Sequence, residues 1–155
     1  MSEKPILFLD VDGVLNCFDE TGEHCTIYQQ ASGFPVWIPN GTEERLHTLN
    51  KHFEIVWATA WMGTAHGAFK NILNLPEFWP HISWSSFKLP EIIKWAGGRS
   101  WAWIDDDIQF ELDHLGWDRE RMIPDNVLLQ DIDPNIGLSD SDVHELIYWA
   151  NTVGK

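Results

Sequence analysis

Basic residues are scarce in this chain: 10 Lys and Arg stand against 24 Asp and Glu, for a formal charge of −14 at pH 7. Such an acidic excess repels phosphate backbones in bulk, which argues against a polynucleotide gripped along its length. An acidic crevice filled by a metal ion would still accept one phosphate locally. Cysteine is scarcer, with only Cys17 and Cys25. Two cysteines make no disulfide framework, and these would pair only if the loop between them folded back. Thiols in a reducing compartment, without a structural disulfide, are expected. His24 adjoins Cys25, but no metal-ligand spacing recurs and no fourth ligand is evident, which argues against zinc. No apolar run approaches bilayer-spanning length, and Met1-Ser2-Glu3-Lys4-Pro5 leads straight into an apolar strand with no signal-like stretch. The expectation is a cytoplasmic protein with no membrane partner. Low-complexity tracts, repeats and linker-like composition shifts are also missing. At 155 residues and 44% hydrophobic content, the chain is long enough to bury a core as one domain over 1–155.

What is present is organised around Ile6-Leu7-Phe8-Leu9-Asp10-Val11-Asp12-Gly13. Ile6 to Leu9 is continuously apolar, as in a parallel strand buried on both faces. Asp10 and Asp12 follow where that strand ends, and Gly13 lets the chain turn away. Two carboxylates placed together at a strand terminus are costly unless a positive charge neutralises them, and a hard divalent cation would do so.

Beyond this stretch, Cys25–Gln29 and Phe34–Ile38 have β character about Gln30-Ala31-Ser32-Gly33, which predicts a hairpin. Asn40 or Thr42 is placed to cap a helix running to His52. Phe53–Thr59 reads as a second sheet strand, followed by a helix over about 64–73. His81–Trp84 reads as a short third strand. A helix with Pro90 in its first turn stops at Gly97-Gly98. Ser100–Ile104 is the fourth strand, with Asp105-Asp106-Asp107 at its end and a helix to Leu115 beyond. Asp107 is read as the N-cap of that helix. Val127–Gln130 is the fifth strand, and Ser139 caps a last helix to about Asn151. Alternation of apolar strands and helices predicts an α/β fold: a Rossmann-like, doubly wound, mostly parallel five-stranded sheet with helices on both faces. Ligands of such sheets bind outside the carboxyl ends of the strands. Three strands carry polar groups there: Asp10 and Asp12, Thr59, and Asp105 to Asp107.

A carboxylate cluster with a hydroxyl and a lysine suits metal-assisted phosphoryl transfer. Mg2+ takes oxygen ligands and is held by a few carboxylates together with substrate phosphate. Asp10 and Asp105 are the leading ligands, and Asp106 is either a third ligand or a support behind them. One aspartate can attack phosphorus to give an aspartyl-phosphate, and the other can carry the proton to the leaving oxygen. Trp57, Trp101 and Trp103 read as core. Trp61 and Trp37 are placed near the crevice mouth, where they could stack on a ring. His66 follows Thr59 closely but reads as an exposed helix residue rather than a substrate contact.

Asp10-Val11-Asp12-Gly13-Val14 resembles the first motif of the haloacid dehalogenase-like (HAD) hydrolases, DxDx[T/V]. Val56-Trp57-Ala58-Thr59 resembles their second motif and Trp103-Ile104-Asp105-Asp106 their fourth, in the same order and at similar spacing. With Lys-Leu-Pro at 88–90, the set is similar to a small group of capless members. The resemblance implies Asp10 as nucleophile, Asp12 as general acid/base and Thr59 as a phosphoryl hydrogen-bond donor. It also implies Asp105 and Asp106 as ligands of Mg2+, with the backbone carbonyl of Asp12 completing the set. The acid at position 12 favours phosphate esters over dehalogenation. For the motif lysine, Lys88 is the choice and Lys94 the rival. A flap over about 17–40 is implied, with no room for a large cap. The implied partner is a phosphorylated substrate, either a small molecule or a nucleic-acid end. A phosphotransferase, or a non-catalytic module binding a phosphoryl ligand or a protein, is the alternative.

Overall fold

The computed structural model describes residues 3–18, 23–30 and 33–153. The apolar run after Pro5 forms β1 (Ile6–Leu9), every residue of which is buried. A hairpin of β2 (Cys25–Gln29) and β3 (Pro35–Pro39) follows, then α1 (Thr42–His52) and β4 (Glu54–Trp57). A 3-10 turn (Met62–Thr64) runs into α2 (Ala65–Phe69), and a long connection leads to α3 (Leu89–Ala96). The chain closes with β5 (Trp101–Asp105), α4 (Ile108–Leu115), β6 (Val127–Asp131) and α5 (Asp140–Val153).

Four strands form one parallel sheet in the order β4-β1-β5-β6. Side chains alternate between its faces, so each strand feeds two cores. Leu7, Leu9, Ile55, Trp57 and Ile104 join Leu46 and Leu49 of α1, Phe69 of α2 and Leu146 of α5. Ile6, Phe8, Val56 and Trp103 join Leu89 and Ile92 of α3 and Ile108 and Leu112 of α4. Helices therefore cover both faces, and the run at 6–9 is apolar throughout because neither face meets water.

The short third strand expected at 81–84 is corrected to a single parallel bridge, His81 to Trp57, at the outer edge of β4, so the sheet has four strands rather than five. Trp57 N–H donates to Pro80 O (2.8 Å) and Ile82 N–H to Trp57 O (3.0 Å). Past Ile82, Trp84 turns toward the end of β4, where its indole N–H donates to Thr59 O (3.1 Å). That bond holds the segment across the strand ends, and the ladder stops.

The hairpin is antiparallel, with Cys25 opposite Pro39 and Gln29 opposite Pro35. Ala31 and Ser32 of the predicted turn lie outside the described residues; Gly33, at φ 92°, donates its N–H to Gln30 O (2.9 Å). Val36 and Ile38 enter the core while β2 stays largely exposed. The cap of α1 is corrected as well. Neither Asn40 nor Thr42 holds that position: Gly41 does, at φ 91°, and the Thr42 hydroxyl donates to Pro39 O (2.6 Å). His66 is buried rather than exposed, because the Trp57 indole needs an acceptor in the core. Its Nδ1 takes the Trp57 Nε1–H (3.2 Å), which leaves Nε2–H to donate to Pro76 O (2.9 Å). No helix among the described residues is long and apolar enough to cross a membrane.

Ser139 caps α5 as its position suggests, in a reciprocal arrangement with Asp142. Asp142 N–H donates to Ser139 Oγ (3.2 Å), and Ser139 N–H donates to Asp142 Oδ2 (2.9 Å). Ser139→Ala is expected to lower stability by about 1 kcal/mol in urea unfolding; an unchanged midpoint would contradict this role.

Candidate active site

Parallel strands deliver everything that follows them to one edge of the sheet. Leu9 lies opposite Ile104, which puts Asp10 beside Asp105 on the neighbouring strand. Asp10 N–H continues the ladder to Ile104 O (3.2 Å). Ala58 N–H does the same to Leu9 O (2.8 Å), so Thr59 arrives just beyond the end of β4. Asp10, Asp105 and Thr59 are each buried.

Lys88, at the N-cap of α3, brings its ammonium between the two acids, 3.2 Å from Asp10 Oδ1 and 2.7 Å from Asp105 Oδ2. Backbone N–H groups add to these contacts. Asp10 Oδ1 also accepts from Val11 N–H (2.8 Å), and Asp105 Oδ1 accepts from Asp107 N–H (2.9 Å). Lys94, the rival lysine, is exposed in the last turn of α3. Asp107 occupies the N-cap position of α4, but its side chain makes no capping bond there.

Asp106 approaches from the same turn. Oxygens of Asp10, Asp105 and Asp106 lie within 4.8 Å of one another, a cluster of hard donors close enough to share one divalent cation. Gly13 makes that approach possible. It stands at φ 83°, and a Cβ there would collide with the Asp106 carboxylate and come within 2.9 Å of Asp106 Cβ. The three acids exceed the single ammonium of Lys88, and the electrostatics show it. Burial, reinforced by Asp105, pushes Asp10 well above the usual carboxylate range despite the opposing pull of Lys88 and Val11 N–H. Burial, with Asp105 beside it, pushes Asp106 up to about 6. Burial alone would lower Lys88, but Asp10 and Asp105 outweigh it and hold the ammonium charged. The donors are oxygens, the site is electron-rich, and the glycine leaves space for the third acid: the residues fit a hard divalent cation.

Asp12 stands apart from that cluster. Its Oδ2 accepts from Trp61 Nε1–H (3.0 Å) and its Oδ1 from Asn16 Nδ2–H (3.0 Å). Asn16 Oδ1 in turn accepts Trp37 N–H (2.8 Å), which ties Asp12 to β3. Thr59 Oγ1 accepts Trp61 N–H (3.2 Å). Trp61 is thus a partner of Asp12, its ring packed on Phe69 at 5.2 Å. The aromatic residues lining the cleft are Trp84, Phe18 and Phe110, rather than the expected Trp61 and Trp37.

Sequence reasoning missed Glu111. From α4 it accepts the first free N–H groups of α3, Lys88 N–H at Oε2 (3.0 Å) and Leu89 N–H at Oε1 (2.9 Å). A carboxylate at a helix N-terminus is favourable there, and this one pins the backbone of Lys88 to the helix that follows Asp105-Asp106. Its burial raises its pKa. No sequence signal pointed to it, because one glutamate in a helix does not reveal which neighbouring helix it caps. Cys17, His24 and Cys25 also converge, with ligand atoms within 4.8 Å of one another and the two sulfurs 2.7 Å apart.

The cleft above the acids has a volume of about 230 Å3 and is lined by Asp10, Asp12, Lys88, Asp105, Asp106 and Glu111 together with its aromatic residues. Larger clefts of about 500 and 670 Å3 lie elsewhere, away from the strand ends that carry these acids.

A raised carboxylate pKa makes folding favour the protonated form. Stability from Asp106 is therefore complete below its unfolded value of 3.8 and is lost as pH rises through about 6. Metal-free Asp106→Asn should accordingly gain on the metal-free wild type in thermal unfolding as pH rises from 4 to 7. A divalent cation at pH 7 should raise the melting temperature of the wild type more than that of the variant. Parallel pH profiles would contradict the assignment.

A family model described as a HAD domain in Swiss Army Knife RNA repair proteins matches residues 6–143. No curated protein and no solved structure matches the chain.

Proposed function

Because the chain belongs to the family of HAD domains in Swiss Army Knife RNA repair proteins, we propose that it is a phosphoester hydrolase working through an aspartyl-phosphate on Asp10. The observation that carries this reading is the placement of Asp10 and Asp105 side by side on the two central strands, with Lys88 bonded to both and Asp106 facing them.

Mg2+ is the proposed cation, held by Asp10, Asp105 and Asp106 with the Asp12 carbonyl, and when bound it supplies charge neutralisation for both the acids and the incoming phosphoryl group. Asp10 then attacks phosphorus through the carboxylate oxygen not engaged by Val11 N–H, and the ester P–O bond breaks. Lys88 stays charged and stabilises the negative charge on the phosphoryl oxygens. Thr59 Oγ1 has a hydroxyl proton free for one of those oxygens, since the bond it makes to Trp61 N–H uses it as an acceptor. Asp12 protonates the leaving oxygen and later takes a proton from the water that hydrolyses the acyl phosphate. Trp61 and Asn16 hold the Asp12 carboxylate in one orientation for both steps. The β2–β3 hairpin acts as the flap beside the cleft, joined to Asp12 through Asn16 and Trp37.

The RNA-repair setting of the family supports a phosphorylated RNA end or nucleotide as the natural substrate. The domain acts as a single unit, without a large cap, in the cytoplasm.

With Mg2+ and a generic aryl phosphate, Asp10→Asn should lower kcat by about 10^3-fold or more, with an unchanged far-ultraviolet circular dichroism spectrum. A folded variant with wild-type turnover would overturn the reading.

A further inference from the structure

Charge in the cleft is one-sided: six carboxylates line it against the single ammonium of Lys88, which Asp10 and Asp105 already engage. No other lysine or arginine lines it among the described residues. Polynucleotide binding along the backbone depends on cations that neutralise successive phosphates, and this cleft offers none beyond the reacting one.

What the cleft does offer is aromatic surface. Phe18, after β1, and Phe110, on α4, line it together with Trp84, and the two phenylalanines are 52% and 49% exposed. A lone exposed phenylalanine is ordinary, but these two open onto the same cleft as the proposed nucleophile. Phe110 is also held in place. Its ring lies 4.2 Å from that of His114 at 39°, His114 Nδ1 is bonded to Phe110 O (2.9 Å), and Phe87 packs on His114 at 6.1 Å. A ring already fixed costs little to order when a flat ligand stacks on it.

We propose that the cleft reads a single terminal nucleotide, stacking its base on Phe110 and Phe18 and leaving the backbone beyond that nucleotide ungripped. This deepens the hydrolase reading and rests on it for the fate of the phosphate, while the stacking subsite stands on its own geometry. A free mononucleotide and the phosphorylated end of an RNA present the same chemistry to such a subsite. Any base has a face to stack, so little base preference is expected.

The test compares nucleoside monophosphates, ribose 5-phosphate and end-phosphorylated oligonucleotides of two, five and ten residues, with Mg2+. Two readouts are used: kcat/KM for the wild-type chain, and calorimetric affinity for the Asp10→Asn variant, which needs no turnover. Phe110→Ala should lower the preference for nucleotide over ribose 5-phosphate by about ten-fold in both readouts. Phe18→Ala should do the same to a smaller degree, and Phe110→Leu should restore only part of the preference. Affinity should stay flat with oligonucleotide length and share the salt dependence of the mononucleotide. Equal losses for nucleotide and ribose 5-phosphate, or affinity that climbs with length and falls steeply with salt, would overturn the proposal. Absence of any turnover by the wild type would end the hydrolase reading alone, and the calorimetric contrast would still decide the stacking subsite.

Discussion

The rest of the site depends on one arrangement: the Lys88 ammonium set between the carboxylates of Asp10 and Asp105 at the end of two adjacent parallel strands. Two buried acids this close cannot both stay ionised without a positive charge. Strand pairing forces them together, because the register that buries Leu9 against Ile104 leaves the next residues no other place. The lysine must come from elsewhere in the chain, and α3 supplies it at its first turn, where Glu111 holds the backbone. Sheet register, the α3 N-terminus and a carboxylate on α4 together fix one cation to within hydrogen-bonding distance of both acids.

One ammonium does not balance three acids. Asp106 adds a further carboxylate, admitted only because Gly13 has no Cβ, and both Asp10 and Asp106 are pushed upward by burial. The site is built electron-rich, which destabilises the empty protein and favours a divalent cation. Asp12 lies outside that cluster and takes hydrogen bonds from Trp61 and Asn16. Two carboxylates two residues apart in the sequence thus occupy different surroundings, and this allows one to attack while the other moves protons.

Much of this was legible in the amino-acid order. The unbroken apolar run at 6–9 meant a strand covered on both sides, and helices do cover both faces. The acids at 10 and 105, each directly after such a strand, had to share an edge if the strands were parallel. Lys88 was the choice from its place before Leu89-Pro90, and the fold brings its ammonium, rather than that of Lys94, to Asp10. Three features were not legible, for physical reasons. The segment at 81–84 has strand composition, yet Trp84 bonds to Thr59 O and pulls the chain out of the ladder after one bridge. His66 has a helix-surface pattern, yet the indole of Trp57 drew it inward. Glu111 acts across two helices, and such a contact depends on packing that no local pattern encodes.

The account turns on Asp10 forming a bond to phosphorus. Trapping the enzyme during turnover with Mg2+, reducing it with borohydride and mapping the product by peptide mass spectrometry reads that bond directly. The account predicts reduction of the acyl phosphate to the alcohol at position 10, lost in Asp10→Asn. Steady hydrolysis with no modification at position 10, or with the modification at Asp12 instead, would contradict it.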